Sequence, residues 1–291
     1  MNTLLKLSPG RLLAYAVLAL FIIFSLLPIW VALKMAVSLP TDVFGTASSL
    51  LPSHFALGNF ARVIGLPSDI AVSNASPIDF LTAMRNSLIY TVLLVCGQLF
   101  FSSLAAYAFA RIKFPGRDFL FLMMLAATMI PGILLFLPNF ILIKELGWLN
   151  TFQGMVAPGF LMAPFAVFFM RQFFLSAPRE LEEAAKLDGA SPFKIFWQIA
   201  LPIQKGPLAT LGILTCIGAW NDFFWPFMVG RAANVRVMAV ALNDFLSQSK
   251  GTIPDWTGLM AAVVLSIIPI IILLVVFGRQ IVESLQSSGM K

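Results

Sequence analysis

The chain has 291 residues, 59% of them hydrophobic and 11% charged, with a mean hydropathy of +0.92. Water-soluble domains hold about 45–50% apolar and about 25% charged residues, so water is not its main solvent. The net charge of +6 does not imply nucleic acid, because the basic residues flank apolar runs instead of forming one patch. Two cysteines inside apolar runs and a single histidine, His54, offer neither a disulfide framework nor a metal cluster nor a Ser/His/Asp triad, so no catalytic residue and no metal is expected here.

A bilayer core of about 30 Å takes about 20 apolar residues in a helix. Six such runs follow one another, at 12–33, 84–110, 118–143, 147–171, 206–229 and 256–279. Backbone in hydrocarbon must satisfy its own hydrogen bonds, and the alternation of a transmembrane barrel is absent, so the predicted class is all-α: an integral membrane protein of six transmembrane helices forming a single domain over 1–291. The first run exceeds a signal-peptide core and is read as a span. Pro28, Pro131, Pro138, Pro158, Pro164, Pro226 and Pro269 fall within or at the ends of runs, where each removes a backbone bond and kinks or interrupts its helix. In the second run Ser102, Ala106 and Ala110 recur every four residues, a face on which another helix can approach closely.

An even number of spans puts both termini on one side. Twelve of the nineteen Lys and Arg residues lie at the termini and in 111–118 and 171–205, and seven are spread over longer loops on the opposite side. Cytoplasmic termini are therefore expected, with outer loops at 34–85, Lys144-Glu145 and 231–255.

The longest inner connection, 176–204, has the grammar of two helices. Pro178 suits a first helical position, Glu180, Glu182 and Glu183 complement the positive end of the helix dipole, and Gly189 supplies a left-handed stop. Ser191 is the N-cap of a second helix carrying Phe193, Phe196 and Trp197, closed by Pro202 and Pro207. Local properties leave two readings open: an amphipathic hairpin resting on lipid, or a docking knob for a soluble partner. In the fifth run, Asp222 stands 16 residues beyond Gly206, about 24 Å along a helix, where a carboxylate is expensive unless it meets water, a partner or a translocation path. Trp220, Asn221, Asp222 and Phe224 are the candidate path or gate residues. The competing readings are a structural ion pair and a helix-end carboxylate above the hydrocarbon, with Pro226 marking the helix end.

The string Glu183-Ala184-Ala185-Lys186-Leu187-Asp188-Gly189-Ala190, followed by Ile199, Leu201-Pro202 and Pro207, resembles the EAA loop of binding-protein-dependent ABC importer permeases. Asn86-Ser87, Ala105 to Arg111, Met129-Ile130-Pro131 and Trp220-Asn221 are similar to the carbohydrate branch of that family, in particular its MalG-type permeases. The resemblance implies the type I ABC importer permease fold, with a cytoplasmic coupling helix pair between helices 4 and 5 seated in a separate ATPase. Glu180, Glu183, Ala184, Ala185, Asp188, Gly189, Ala190, Phe193 and Phe196 would form that coupling surface. It further implies a bacterial inner-membrane location, a second, MalF-like permease, a cytoplasmic ATPase homodimer that holds the ATP and Mg, an external solute-binding protein, and a sugar or oligosaccharide substrate. This chain itself would bind no cofactor. A C-terminal tail, 284–291, would reach the ATPase interface, and the loop 231–255 would probe the binding protein. No Gly-x4-Gly-Lys-Ser/Thr string occurs, so ATP hydrolysis is expected on another polypeptide. The alternatives are a secondary carrier or channel not coupled to ATP, and a membrane-embedded enzyme.

Overall fold

The computed structural model describes residues 9–43, 49, 51–70, 79–247 and 254–289, with side chains described as far as Gly278. The side chains of the tail 284–291, and residues 248–253 of the third outer loop, lie outside the described residues. Among those described, every regular element is helical, because a chain this apolar has no other open architecture that keeps its backbone bonded.

Among the described residues, three helices are long and apolar enough to cross a membrane alone: Gly10–Ala36, Phe80–Arg111 and Trp256–Gly278. Three bent pairs pass the same test together, so the chain has up to six spans if each pair counts as one. The bends fall where the prolines stand. Helices α4 (Arg117–Ala127) and α5 (Gly132–Glu145) meet at 97°, across a break ending at Pro131, whose ψ of 127° is extended. Helices α6 (Phe152–Phe160) and α7 (Pro164–Ser176) meet at 44°, with Pro164 opening the second. That break frees the Ala163 N–H, and Ser102 Oγ accepts it at 3.3 Å.

The chain divides into two compact units. The first contains residues 1–80 and 242–267. There α1 (Pro9–Ala36) ends against the short helix α2 (Gly58–Val63). The fully buried Asn59 donates to Ala36 O at 2.9 Å and Ser38 O at 2.8 Å, satisfying carbonyls that a helix end leaves unpaired. Arg62 of α2 pairs with Asp255, which in turn accepts from the Gly258 N–H at 2.9 Å and so caps the last helix, Trp256–Gly289.

The second unit, residues 81–241 and 268–291, holds two apolar clusters along α3 (Phe80–Arg111). One gathers Tyr107, Met170, Phe174, Ile195 and Phe196 near the end of α3; the other gathers Tyr90, Leu94, Met155, Val229 and Val240 near its start. Ser102 and Ala106 are completely buried and Ala110 nearly so, which makes that stripe of α3 a packing face. The fifth apolar run is interrupted. Helix α11 (Lys205–Trp220) stops before Asp222, and α12 (Phe224–Val229) restarts after it. Asp222 therefore lies in a helix break, not within a helix as its distance along the run suggested.

Candidate functional site

The segment 176–204 folds as two helices. Helix α8 is Glu180–Leu187, with Arg179 as its N-cap, so Pro178 precedes the helix instead of opening it. Gly189 has a φ of +78°, the left-handed turn that ends α8 and that other residues adopt only at a cost of roughly 1–2 kcal/mol. Ser191 caps α9 (Pro192–Ile195), its hydroxyl accepting from Lys194 N at 3.3 Å. The chain continues through a π-helical turn, Phe196–Ala200, and α10 (Leu201–Ile203). Pro202 has no N–H with which to continue the α-helical ladder, and Pro207 lies inside α11 instead of closing the segment. The run Pro192–Ile203 meets α11 at 81°.

The coupling residues named from the sequence divide into two groups. Glu180, Glu183, Ala184, Asp188, Gly189 and Phe193 are exposed, and Ala185 and Ala190 are half-buried. Leu187 and Phe193 present 90% and 58% of their surface, an apolar display beside carboxylates that a soluble domain would normally cover. Phe196 differs. It is 1% exposed and packs against Tyr107 with ring centroids 5.4 Å apart, so it anchors the segment and is not available to a partner. Its burial contributes about 2 kcal/mol.

The residue that fastens this segment is Glu182, for which the sequence alone indicates only a dipole effect. Glu182 is 4% exposed; it accepts from Arg111 Nε at 2.9 Å and from the Tyr107 hydroxyl at 3.2 Å. Arg111 Nη2 also donates to Ala177 O at 2.8 Å. Tyr107 and Arg111 are four residues apart on α3 and so share a face. That spacing, together with a third acidic residue in a helix whose neighbours Leu181 and Ala185 are apolar, was the available signal. Its partner was not visible, because 71 residues separate Arg111 from Glu182.

The second group of candidates surrounds the break at Asp222. Trp220 is buried. Asn221 caps α11 by donating to Ile217 O at 2.8 Å. Phe224 opens α12 and packs on Phe136 at 4.7 Å. Asp222 alone of the four lines a cavity of about 490 Å³, together with Tyr90, Gln98, Thr215 and Trp225. Tyr90 donates its hydroxyl to Asp222 Oδ2 at 2.7 Å, and Thr215 donates to Gln98 Oε1 at 3.4 Å. Tyr90, Leu94 and Gln98 recur every four residues on one face of α3, which brings them into one wall.

Comparison with known proteins places this arrangement. The family described as "Binding-protein-dependent transport system inner membrane component" matches residues 98–286. The arabinooligosaccharides transport system permease protein AraQ of Halalkalibacterium halodurans is 34% identical over 249 residues, 84% of this chain and 88% of that one. The sn-glycerol-3-phosphate transport system permease protein UgpE of Salmonella typhi is 32% identical over 275 residues, 94% of this chain and 95% of that one. A crystal structure of a bacterial ABC transporter involved in the import of the acidic polysaccharide alginate superposes with a TM-score of 0.77 at 26% identity, covering 92% of this chain and 95% of that one. With its helical spans, its exposed helix pair between the fourth and fifth of them, and these relatives along nearly its whole length, the chain belongs to the inner-membrane components of binding-protein-dependent transport systems, the permease subunits of ABC importers.

Proposed function

We propose that the chain is one of two permeases in an importer that moves a sugar or oligosaccharide across the bacterial inner membrane by alternating access, the second permease being MalF-like. An external solute-binding protein delivers the substrate, and a cytoplasmic ATPase homodimer holding ATP and Mg drives the cycle. A relative named for arabinooligosaccharide transport and a solved importer of the polysaccharide alginate support the substrate class. The observation that carries the coupling role is the exposed face of α8 and α9, where Glu180, Glu183, Asp188 and Phe193 stand outward around the Gly189 turn. Ala184, Ala185 and Ala190 leave room beside them for a close-fitting cleft. A carboxylate paired within a partly desolvated groove transmits register where a fully exposed pair contributes little.

The path or gate role falls to the break that holds Asn221 and Asp222, together with Trp220 and Phe224 on the helix ends that flank it. Both termini lie in the cytoplasm in this reading, so a reporter fused after Lys291 is active only there. The decisive experiment substitutes Glu183→Lys or Gly189→Asp in the assembled importer. Uptake and ATPase association are lost while the spans still insert. Normal transport by both variants would defeat the assignment.

A further inference from the structure

The family assignment leaves the ionic class of the substrate open, since relatives carry both neutral and anionic cargo in their names. The geometry points to a carbohydrate subsite in the cavity beside the α11–α12 break, built for uncharged polyhydroxylated rings and unfavourable to phosphorylated or uronic ones. This rests on the import function proposed above and adds a substrate class to it.

The volume of about 490 Å³ falls within the range of small-molecule pockets and accommodates one or two sugar rings. Its polar wall consists of the Tyr90 hydroxyl, the Gln98 amide, the Thr215 hydroxyl and the Asp222 carboxylate. Sugar hydroxyls donate and accept at once, and amide, hydroxyl and carboxylate groups answer both needs. The bond from a hydroxyl to an ionised carboxylate is among the stronger ones available. Trp225 supplies an aromatic wall for the apolar face of a ring, and its indole N–H is already held by Met155 O at 2.9 Å, which keeps the side chain in place. None of the described residues lining the cavity is Lys, Arg or His. Tyr90, the partner of Asp222, is neutral. A phosphate or uronate entering would therefore meet a like charge in a region of low dielectric with no cation in this chain's described lining to offset it, a repulsion that discriminates by excluding the wrong ligand.

The test uses the whole importer, both permeases with the ATPase in proteoliposomes together with the cognate binding protein. The probes are labelled arabinotriose and maltotriose as neutral sugars, and sn-glycerol 3-phosphate and a diuronate as anions. Expected is ATP-dependent uptake of a neutral probe, with anion uptake at least tenfold slower. Asp222→Asn lowers neutral uptake at least tenfold while the importer still assembles and copurifies with its ATPase. Gln98→Ala, which leaves the Tyr90–Asp222 bond intact, lowers uptake about threefold and decides the matter if Asp222→Asn fails to assemble. Anion uptake equal to neutral uptake overturns the inference and leaves the import function standing. So does wild-type neutral uptake by both variants. Absence of ATP-dependent uptake of every probe by wild type defeats the import function itself, and the inference with it.

Discussion

Glu182 and Asp222 are both carboxylates drawn into the interior of a membrane protein, and they are treated in opposite ways. Glu182 is almost completely buried and is neutralised by Arg111, with Tyr107 adding a second hydrogen bond. Asp222 is half-exposed to a cavity, its side-chain partner is the neutral Tyr90, and the described lining brings no cation to it. A buried charge that is matched holds two elements together; an unmatched one bordering open space is free to meet a ligand. The first ties α8 to the end of α3. The second stands where the fifth span breaks.

The sharpest way to break this contrast is to remove half of the matched pair. Glu182→Gln leaves the Arg111 guanidinium buried without a counter-charge, at a cost of about 3–5 kcal/mol, while replacing both partners by apolar residues of similar volume is close to neutral. The purified importer should melt well below wild type with Glu182→Gln and recover most of the loss with Glu182→Leu combined with Arg111→Met. A single variant as stable as wild type would show that the pair fastens nothing. The neighbourhood of Asp222 should show no such rescue, because none of the described residues lining its cavity is a cation.

Gly189→Val tests the turn that aims α8 and α9. A β-branched residue at φ +78° costs about 1–2 kcal/mol, so copurification of the ATPase should fall while the cavity at Asp222 still supports whatever transport remains. Equal loss from Val placed at a glycine outside the left-handed region would remove the conformational explanation. A smaller effect, about 1 kcal/mol, is expected from Ser191→Ala, which deletes the hydroxyl cap of α9. Faster proteolysis within 192–203, with the rest of the chain unchanged, is the outcome to look for.

Asp255 provides the mildest comparison, being an acid matched by arginine as Glu182 is, but outside the spans. Burial alone would raise its carboxyl, yet the Arg62 hydrogen bonds and the Gly258 N–H more than reverse this and hold it below its ordinary 3.8. A depressed folded value means the stabilisation is present above pH 3.8 and lost as pH falls below it. The melting difference between wild type and Asp255→Asn should therefore be constant near neutrality and shrink as pH falls below about 4. A difference that persists to pH 3 would assign the effect to packing instead of charge.

The prolines at 131 and 164, the small stripe at 102, 106 and 110, and the glycine stop at 189 were all legible, because each acts within one turn of its own position. The resemblance assigns Phe196 to the coupling surface, whereas the π-helical turn beginning at that residue accompanies its burial against Tyr107. Asp222 was placed inside a helix because hydropathy cannot see a break of three residues. Trp220, Asn221 and Phe224 carried the same expectation as Asp222, and only the packing of α3 against the break separated the one that lines the cavity from the three that do not.

By itself the sequence determined the solvent, the helical class and the location of the exposed knob, since these follow from composition, from backbone hydrogen bonding in hydrocarbon, and from local turn chemistry. Tertiary structure alone decided which acid is a strut and which borders a cavity. Charge pairing depends on what lies within about 4 Å, and the partners of Glu182 and Asp222 stand 71 and 132 residues away along the chain.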